Sequence, residues 1–273
     1  MDGCTVQRDE WPLLEAENQA EMLAYLGTSS CATSHRAADL TWVVTGVPAA
    51  DYNGVLWTRL SAADADAQVP SLVQQFRDQG LPAVWHVDPA SEPADLASRL
   101  QAMGCTPVGG GIMMAARLDR LAREMSRFPG LTIDRATTDD ELREWMGVRQ
   151  QIEPERGRLR EELYLSLGLG GRHPLHHYLA RVDGEPAGVA QLFLGQRVAG
   201  LYSVGVATPF RGRGIGTGLV LTPLLVARTL GYEIGVVRPP ADSVLMYEHL
   251  GFERLTMPVM GYAIGSNPAD TIS

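Results

Sequence analysis

The sequence predicts an α+β protein built as a duplicated fold, and three observations carry that expectation. From Leu131 onward the chain reads strand, helix, helix, three consecutive strands, helix, strand, helix and closing strands. The third consecutive strand runs directly into a glycine-rich helix start, "SVGVATPFRGRGIGTG", from Ser203 to Gly218. The late part of the first half repeats the strand–helix–glycine–strand order that closes the second half.

Each element follows from local chemistry. In "LDRLAREMSRFPGLTIDR" a short helix from Leu118 to Arg127 is broken by Phe128-Pro129-Gly130, and a strand begins at Leu131. That break sets the expected boundary between domains 1–127 and 128–273. Thr138 caps a helix reaching about Arg149, with Glu141 three residues on as in a capping box. A second helix covers about Arg158 to Leu167, before the loop "GLGGRHP". "HHYLARV" and "PAGVAQLFLG" are strands joined by Asp183-Gly184, a strong hairpin signal. "AGLYSVGV" is the third strand. A helix from about Gly216 to Leu230 follows; Pro223 inside it costs roughly 3 kcal/mol unless compensated. Then come the strand "EIGVVR", a helix from about Asp242 to Leu250, and strands at "FERL" and "VMGYAIG". In the first half, "LPAVWHV", "EPADLASRLQAMGC" and "GGGIMMAARL" read as strand, helix and returning strand.

The 273 residues suit one large domain or two ordinary ones, with length enough for a core in each, and 45% hydrophobic with 20% charged residues reads as soluble and globular. No apolar run is long enough for a membrane span, so no membrane association is expected. A net charge of −9 without a basic stripe argues against a nucleic-acid partner. Cys4, Cys31 and Cys105 are too scattered for a disulfide or metal framework, which points to a reducing cytoplasm. All 23 basic residues are arginine.

The chemistry concentrates at the glycine-rich junction. Gly212, Gly214 and Gly216 alternate through a turn that Pro209 stiffens, so successive N–H groups can converge with no Cβ in the way. The helix that follows adds unpaired N–H groups and the positive end of its dipole, and Arg211 and Arg213 add charge. The sum is a pyrophosphate cradle. A dinucleotide fingerprint fails, because Thr217 or Leu219 falls where its third glycine belongs, and a P-loop fails for want of any lysine. The spacing that fits is R-x-x-G-x-G at Arg211, Gly214 and Gly216.

With "LYSVGVATPFRGRGIG" and, a helix and a strand later, "LMYEHLGF", the stretch from about Leu131 to Gly265 resembles the GNAT (GCN5-related) N-acetyltransferase family. The whole chain resembles its tandem members, in which a degenerate N-terminal copy precedes an active one. The resemblance implies two domains, each a twisted mixed β-sheet flanked by helices. It also implies acetyl-CoA as acyl donor, an amine as acceptor, and no metal; that the acceptor is a small-molecule primary amine is expected from the acidic chain and the absence of a recognisable protein-docking tail. In the N-terminal copy "LSAADADAQVP" has no glycine and two aspartates after its strand, so a single cofactor site is expected.

By that resemblance the backbone of Val204, Gly205 and Val206 binds the pantetheine arm. The amides of Arg211, Gly212, Arg213, Gly214, Ile215 and Gly216 hold the pyrophosphate, and the Tyr247 hydroxyl protonates the departing thiolate. Related proteins often carry asparagine seven positions before that tyrosine. Here it is Pro240, with Asp242 and Ser243 as alternative caps. Tyr202 and Ser203 are not bases. Glu153 and Glu155, in "QQIEPERG", either meet the acceptor ammonium or form a solvated charged loop. His173, His176 and His177 cluster, but neighbours on a strand alternate faces, which argues against metal ligation. Other readings are a CoA-binding regulatory protein without catalysis, a longer acyl donor, or a protein amine as acceptor.

Overall fold

The computed structural model describes residues 7–109, 112–122, 128–153, 157–169, 173–256 and 261–265. In chain order the elements are α1 (Trp11–Leu26), β1 (Thr33–Arg36), β2 (Leu40–Val44), β3 (Asn53–Thr58), α2 (Ala62–Asp78), β4 (Ala83–His86), α3 (Leu96–Ala102), β5 (Thr106–Val108) and β6 (Ile112–Arg117). The second half continues with β7 (Leu131–Arg135), α4 (Asp139–Ile152), α5 (Gly157–Leu167), β8 (Leu175–Val182), β9 (Glu185–Leu194), β10 (Ala199–Val206), α6 (Ile215–Thr229), β11 (Ile234–Val237), α7 (Val244–His249), β12 (Glu253–Thr256) and β13 (Gly261–Ile264).

The chain forms two compact units, each around a mixed sheet. The larger comprises Met1–Met22, Gly111–Glu161 and Gly168–Thr256; the smaller comprises Leu23–Gly110, Glu162–Leu167 and Met257–Ser273. The larger unit's sheet runs β12-β6-β11-β10-β9-β8-β7 and the smaller's runs β1-β2-β3-β4-β13-β5. Each therefore takes one strand from the other half of the chain. β6 lies antiparallel between β11 and β12, while β13 lies antiparallel between β4 and β5. The compact units are thus not the consecutive stretches 1–127 and 128–273, and "GGGIMMAARL" does not return to its own sheet. The alternation that makes β6 a strand says nothing about which edge it pairs with. Leu118 and Asp119, placed in a helix by sequence, form a turn; residues 123–127 of that expected helix lie outside the described residues.

In the larger unit, turn and cap chemistry act as their residue types require. Asp183 and Gly184 sit at φ +50° and +86°, turning β8 into β9. The Thr138 side chain accepts from the Glu141 amide, and the Glu141 carboxylate accepts from the Thr138 amide in return. α6 covers one sheet face, and its Leu219 lies against Gly188. α4 covers the other, where a Cβ placed on Gly205 would stand 2.7 Å from Ile152 Cδ1. The core joins Leu219, Val220, Leu221 and Leu224 of α6 to Leu201, Ala190 and Leu192 of the sheet. α6 runs unbroken through buried Pro223. Among the described residues no helix is long and apolar enough to cross a membrane.

Candidate active site

β10 and β11 run parallel and pair from Ala199–Gly235 to Leu201–Val237, then part. Beyond that fork, Tyr202 to Val206 has β9 on one side and, among the described residues, no strand on the other. At about 3.3 Å per residue this open edge is about 16 Å long. On the β9 side the register slips: Tyr202 faces Gln191 and Gly205 faces Val189, so Ser203 and Val204 together oppose one residue. Such a bulge re-aims the backbone groups around it. Ser203 takes the strain, at φ +52°.

A buried polar chain secures the bulge. The Ser203 hydroxyl donates to Gln191 Oε1 at 2.9 Å, and Gln191 Nε2 donates to His177 Nε2 at 3.0 Å. The His177 ring stands edge-on to Trp145, with centroids 4.9 Å apart, and Trp145 Nε1 donates to the Ala190 carbonyl at 3.1 Å. Burial drives the His177 pKa down to about 3, so its ring is neutral and Nε2 accepts. Burial likewise lowers His176 to about 4, and its Nε2 lies 3.0 Å from the His173 carbonyl.

The open edge leads to the glycine-rich junction. Gly212 and Gly214 both have φ +75°, a conformation costing other residues about 1–2 kcal/mol. Gly214 is the N-cap of α6 and makes no side-chain cap bond to it. The first α6 amide with a backbone acceptor is Gly218, bonded to the Gly214 carbonyl at 3.3 Å. The amides of Ile215, Gly216 and Thr217 thus precede the helical ladder and remain as donors. Gly216 lies where a Cβ would touch Met246 Sδ at 3.5 Å, so α7 packs beside the helix start. Arg211 braces the turn, its Nε donating to the Val206 carbonyl at 3.1 Å; Arg213 lies over the rings of Phe128 and Phe210, 5.7 Å from each centroid. Both arginines are exposed.

Tyr247 is buried on α7 with its ring edge-on to Phe252, centroids 5.3 Å apart. Burial raises its pKa well above 10, and among the described residues its hydroxyl has no hydrogen-bond partner. Ser243 occupies the N-cap position of α7, yet its hydroxyl donates to the Pro240 carbonyl at 2.9 Å, so it caps no amide. Glu153 is tied to arginines: Arg149 Nη2 at 2.7 Å and Arg160 Nη1 at 3.6 Å. Glu155 lies outside the described residues.

The corresponding place in the smaller unit is closed. After β3, the Ser61 hydroxyl accepts from the Asp64 amide at 3.1 Å and donates to Asp64 Oδ2 at 2.6 Å, so a side chain and a carboxylate occupy the start of α2. The edge beyond the β3–β4 pairing is taken too: Glu92 N donates to the Thr58 carbonyl at 3.0 Å, and Leu60 N to the Glu92 carbonyl at 3.2 Å.

Residues 136–252 match the profile of the Acetyltransferase (GNAT) family. They form a GNAT acetyltransferase domain. A GCN5-related N-acetyltransferase from Kribbella flavida superposes with a TM-score of 0.61 at 17% identity, over 92% of this chain and 94% of that one. A tandem GNAT protein from the clavulanic acid biosynthesis pathway gives a TM-score of 0.56 at 16% identity, over 93% and 92%. A GNAT-family protein from Novosphingobium aromaticivorans gives 0.52 at 16%, over 94% and 99%. At these identities the likeness is one of fold, and it extends over both units: two GNAT-like mixed sheets flanked by helices. A search of curated protein sequences finds no significant match. The family's reaction is acetyl transfer from acetyl-CoA, so the match over residues 136–252 supports an acyltransferase.

Sequence reasoning overlooked Gln191, Asn18, Glu15 and Arg238 around the fork. The available signal was a lone amide inside the apolar run "GVAQLFL"; Glu15 and Asn18 sit among the other polar residues of α1, Glu17, Gln19 and Glu21, and nothing in the sequence sets them apart.

Proposed function

We propose that the protein is an acetyl-CoA-dependent N-acetyltransferase that acetylates a primary amine of a small molecule by direct attack on the thioester. The observation carrying this reading is the continuity of an unpaired strand edge, Tyr202–Val206, with an uncapped helix start flanked by two left-handed glycines. One linear ligand with a peptide-like arm and a diphosphate matches both features. The closed counterpart in the smaller unit supports a single site.

In this reading Gly212, Gly214, Ile215, Gly216 and their neighbours Arg211 and Arg213 hold the diphosphate through amides, helix dipole and guanidinium charge. Val204, Gly205 and Val206 offer backbone groups to the pantetheine amides, and an N–H at the Ser203–Val204 bulge receives the thioester carbonyl oxygen. Fixing both ends makes amine attack an oriented step. The amine nitrogen bonds to the carbonyl carbon and its surplus proton passes to solvent water; the C–S bond breaks, and the Tyr247 hydroxyl gives its proton to the thiolate and regains one from solvent. Burial keeps the phenol protonated, and among the described residues no partner competes for its hydroxyl.

Thiol release from acetyl-CoA, measured with a panel of small primary amines, tests the proposal. Amine-dependent release in the wild type, lost in Tyr247→Phe with acetyl-CoA still bound, is the expected result. Acetyl-CoA binding with no release in the presence of any amine would favour a non-catalytic CoA-binding protein instead.

A further inference from the structure

Arg238 is the first residue after β11 leaves its pairing with β10, so it stands at the closed end of the fork, opposite Tyr202. Its Nη2 donates to Glu15 Oε2 at 2.6 Å, and Glu15 is almost fully buried. Among the described residues Nε is buried without a partner and Nη1 has none. A buried charged donor left unpaired is costly, and a ligand oxygen would relieve that cost.

The surroundings hold this guanidinium in place. Asn18, one helical turn after Glu15 on α1, accepts from the Tyr202 hydroxyl at 2.7 Å and donates to the Val198 carbonyl at 3.0 Å. A Cβ on Gly200 would collide with Asn18 Oδ1, so the helix side chain fills the space a strand side chain would take. Glu15 lies near enough to the Tyr202 phenol to act on its ionisation. α1 thus closes the fork behind Arg238.

We propose that Arg238 binds an anionic oxygen group on the acceptor, so that the amine acetylated belongs to a carboxylate-bearing, amino-acid-like molecule. This rests on the transferase reading above and narrows its substrate. In that reading the diphosphate end of the donor lies at the far end of the open edge, five residues along β10 from the position opposite Arg238, so the guanidinium donors meet whatever approaches the thioester end. Anionic oxygen satisfies them better than a neutral group, because charge-assisted hydrogen bonds are roughly twice as strong as neutral ones. A zwitterion also approaches a chain of net charge −9 without the repulsion a simple anion meets.

The test compares matched pairs differing only in the carboxylate: phenylalanine with 2-phenylethylamine, lysine with cadaverine, alanine with ethylamine. Thiol release gives kcat/KM for each, and calorimetry gives acetyl-CoA affinity. In the wild type the carboxylated member of the best pair is expected to exceed its partner at least tenfold. Arg238→Gln reduces that preference to under threefold while acetyl-CoA affinity stays within twofold. Because Arg238→Gln strands a buried carboxylate, the double variant Glu15→Gln/Arg238→Gln serves as the folded control and should lose the preference likewise. Equal turnover of both members, or a preference surviving in the double variant, overturns this inference and leaves the transferase reading intact. No turnover of any pair overturns both.

Discussion

Replacing Gln191 with leucine keeps the apolar volume of β9 but removes both hydrogen bonds that tie the β10 bulge to the sheet interior. His177 Nε2 loses its donor at a buried site, at a cost of about 1–3 kcal/mol. The part-buried Ser203 hydroxyl loses a bond worth about 0.5–1.5 kcal/mol. Together the destabilisation is about 2–4 kcal/mol. At about 2–4 °C per kcal/mol for a unit of this size, the melting transition should fall by roughly 4–16 °C in calorimetry on the full chain. Acetyl-CoA affinity should weaken by about tenfold, because Ser203, held at φ +52° against its own preference, relaxes when untied. Two further variants separate strain from bonding. Ser203→Gly loses the bond but sheds the left-handed penalty, so its stability stays within about 0.5 kcal/mol of wild type. Ser203→Ala keeps the penalty and loses about 1 kcal/mol. A Gln191→Leu protein melting within 1 °C of wild type and binding acetyl-CoA equally well would refute the pinned-bulge reasoning.

Two other outcomes follow from the site. His177 and His176 have folded pKa values depressed to about 3 and about 4, against about 6.5 unfolded, so the unfolded chain binds more protons between those limits. Their contribution to stability is full above pH 6.5 and is lost as pH falls, with a slope approaching about 1.4 kcal/mol per pH unit for each. Urea unfolding from pH 7 to 4 should be measurably flatter for His177→Gln than for wild type. Tyr247→Phe leaves the packing on Phe252 and the melting temperature unchanged but lowers kcat about 100-fold, with acetyl-CoA affinity intact. Because burial holds the Tyr247 phenol above its ordinary pKa, wild-type kcat should show no loss from its ionisation up to pH 10.

Features governed by neighbouring residues were legible in the sequence. The Asp183-Gly184 turn, the Thr138–Glu141 box and the limits of β10 each depend on a few adjacent side chains, and the structure has them where the pattern places them. The glycines at 212 and 214 are left-handed for the same local reason. Features set by distant partners were not. "IMMAAR" is an apolar strand that fits either sheet, so its pairing with β11 and β12 depends on which edge is free in the folded chain. A serine at positive φ has no sequence signal of its own; Ser203 is held by Gln191, twelve residues away on another strand. Asn18 and Arg238 acquire meaning only when α1 is laid beside the fork.

The most direct measurement of the central claim is an acetyl-CoA titration by calorimetry on wild type, Gly212→Asn and Gly212→Asp. Gly212 is left-handed, and a Cβ there meets nothing within 4 Å; asparagine and aspartate both tolerate that conformation and differ only in charge. If the junction holds the diphosphate, wild type and Gly212→Asn bind, and Gly212→Asp binds at least tenfold more weakly with an unchanged melting temperature. Equal binding by the aspartate variant would contradict the account and place the nucleotide elsewhere.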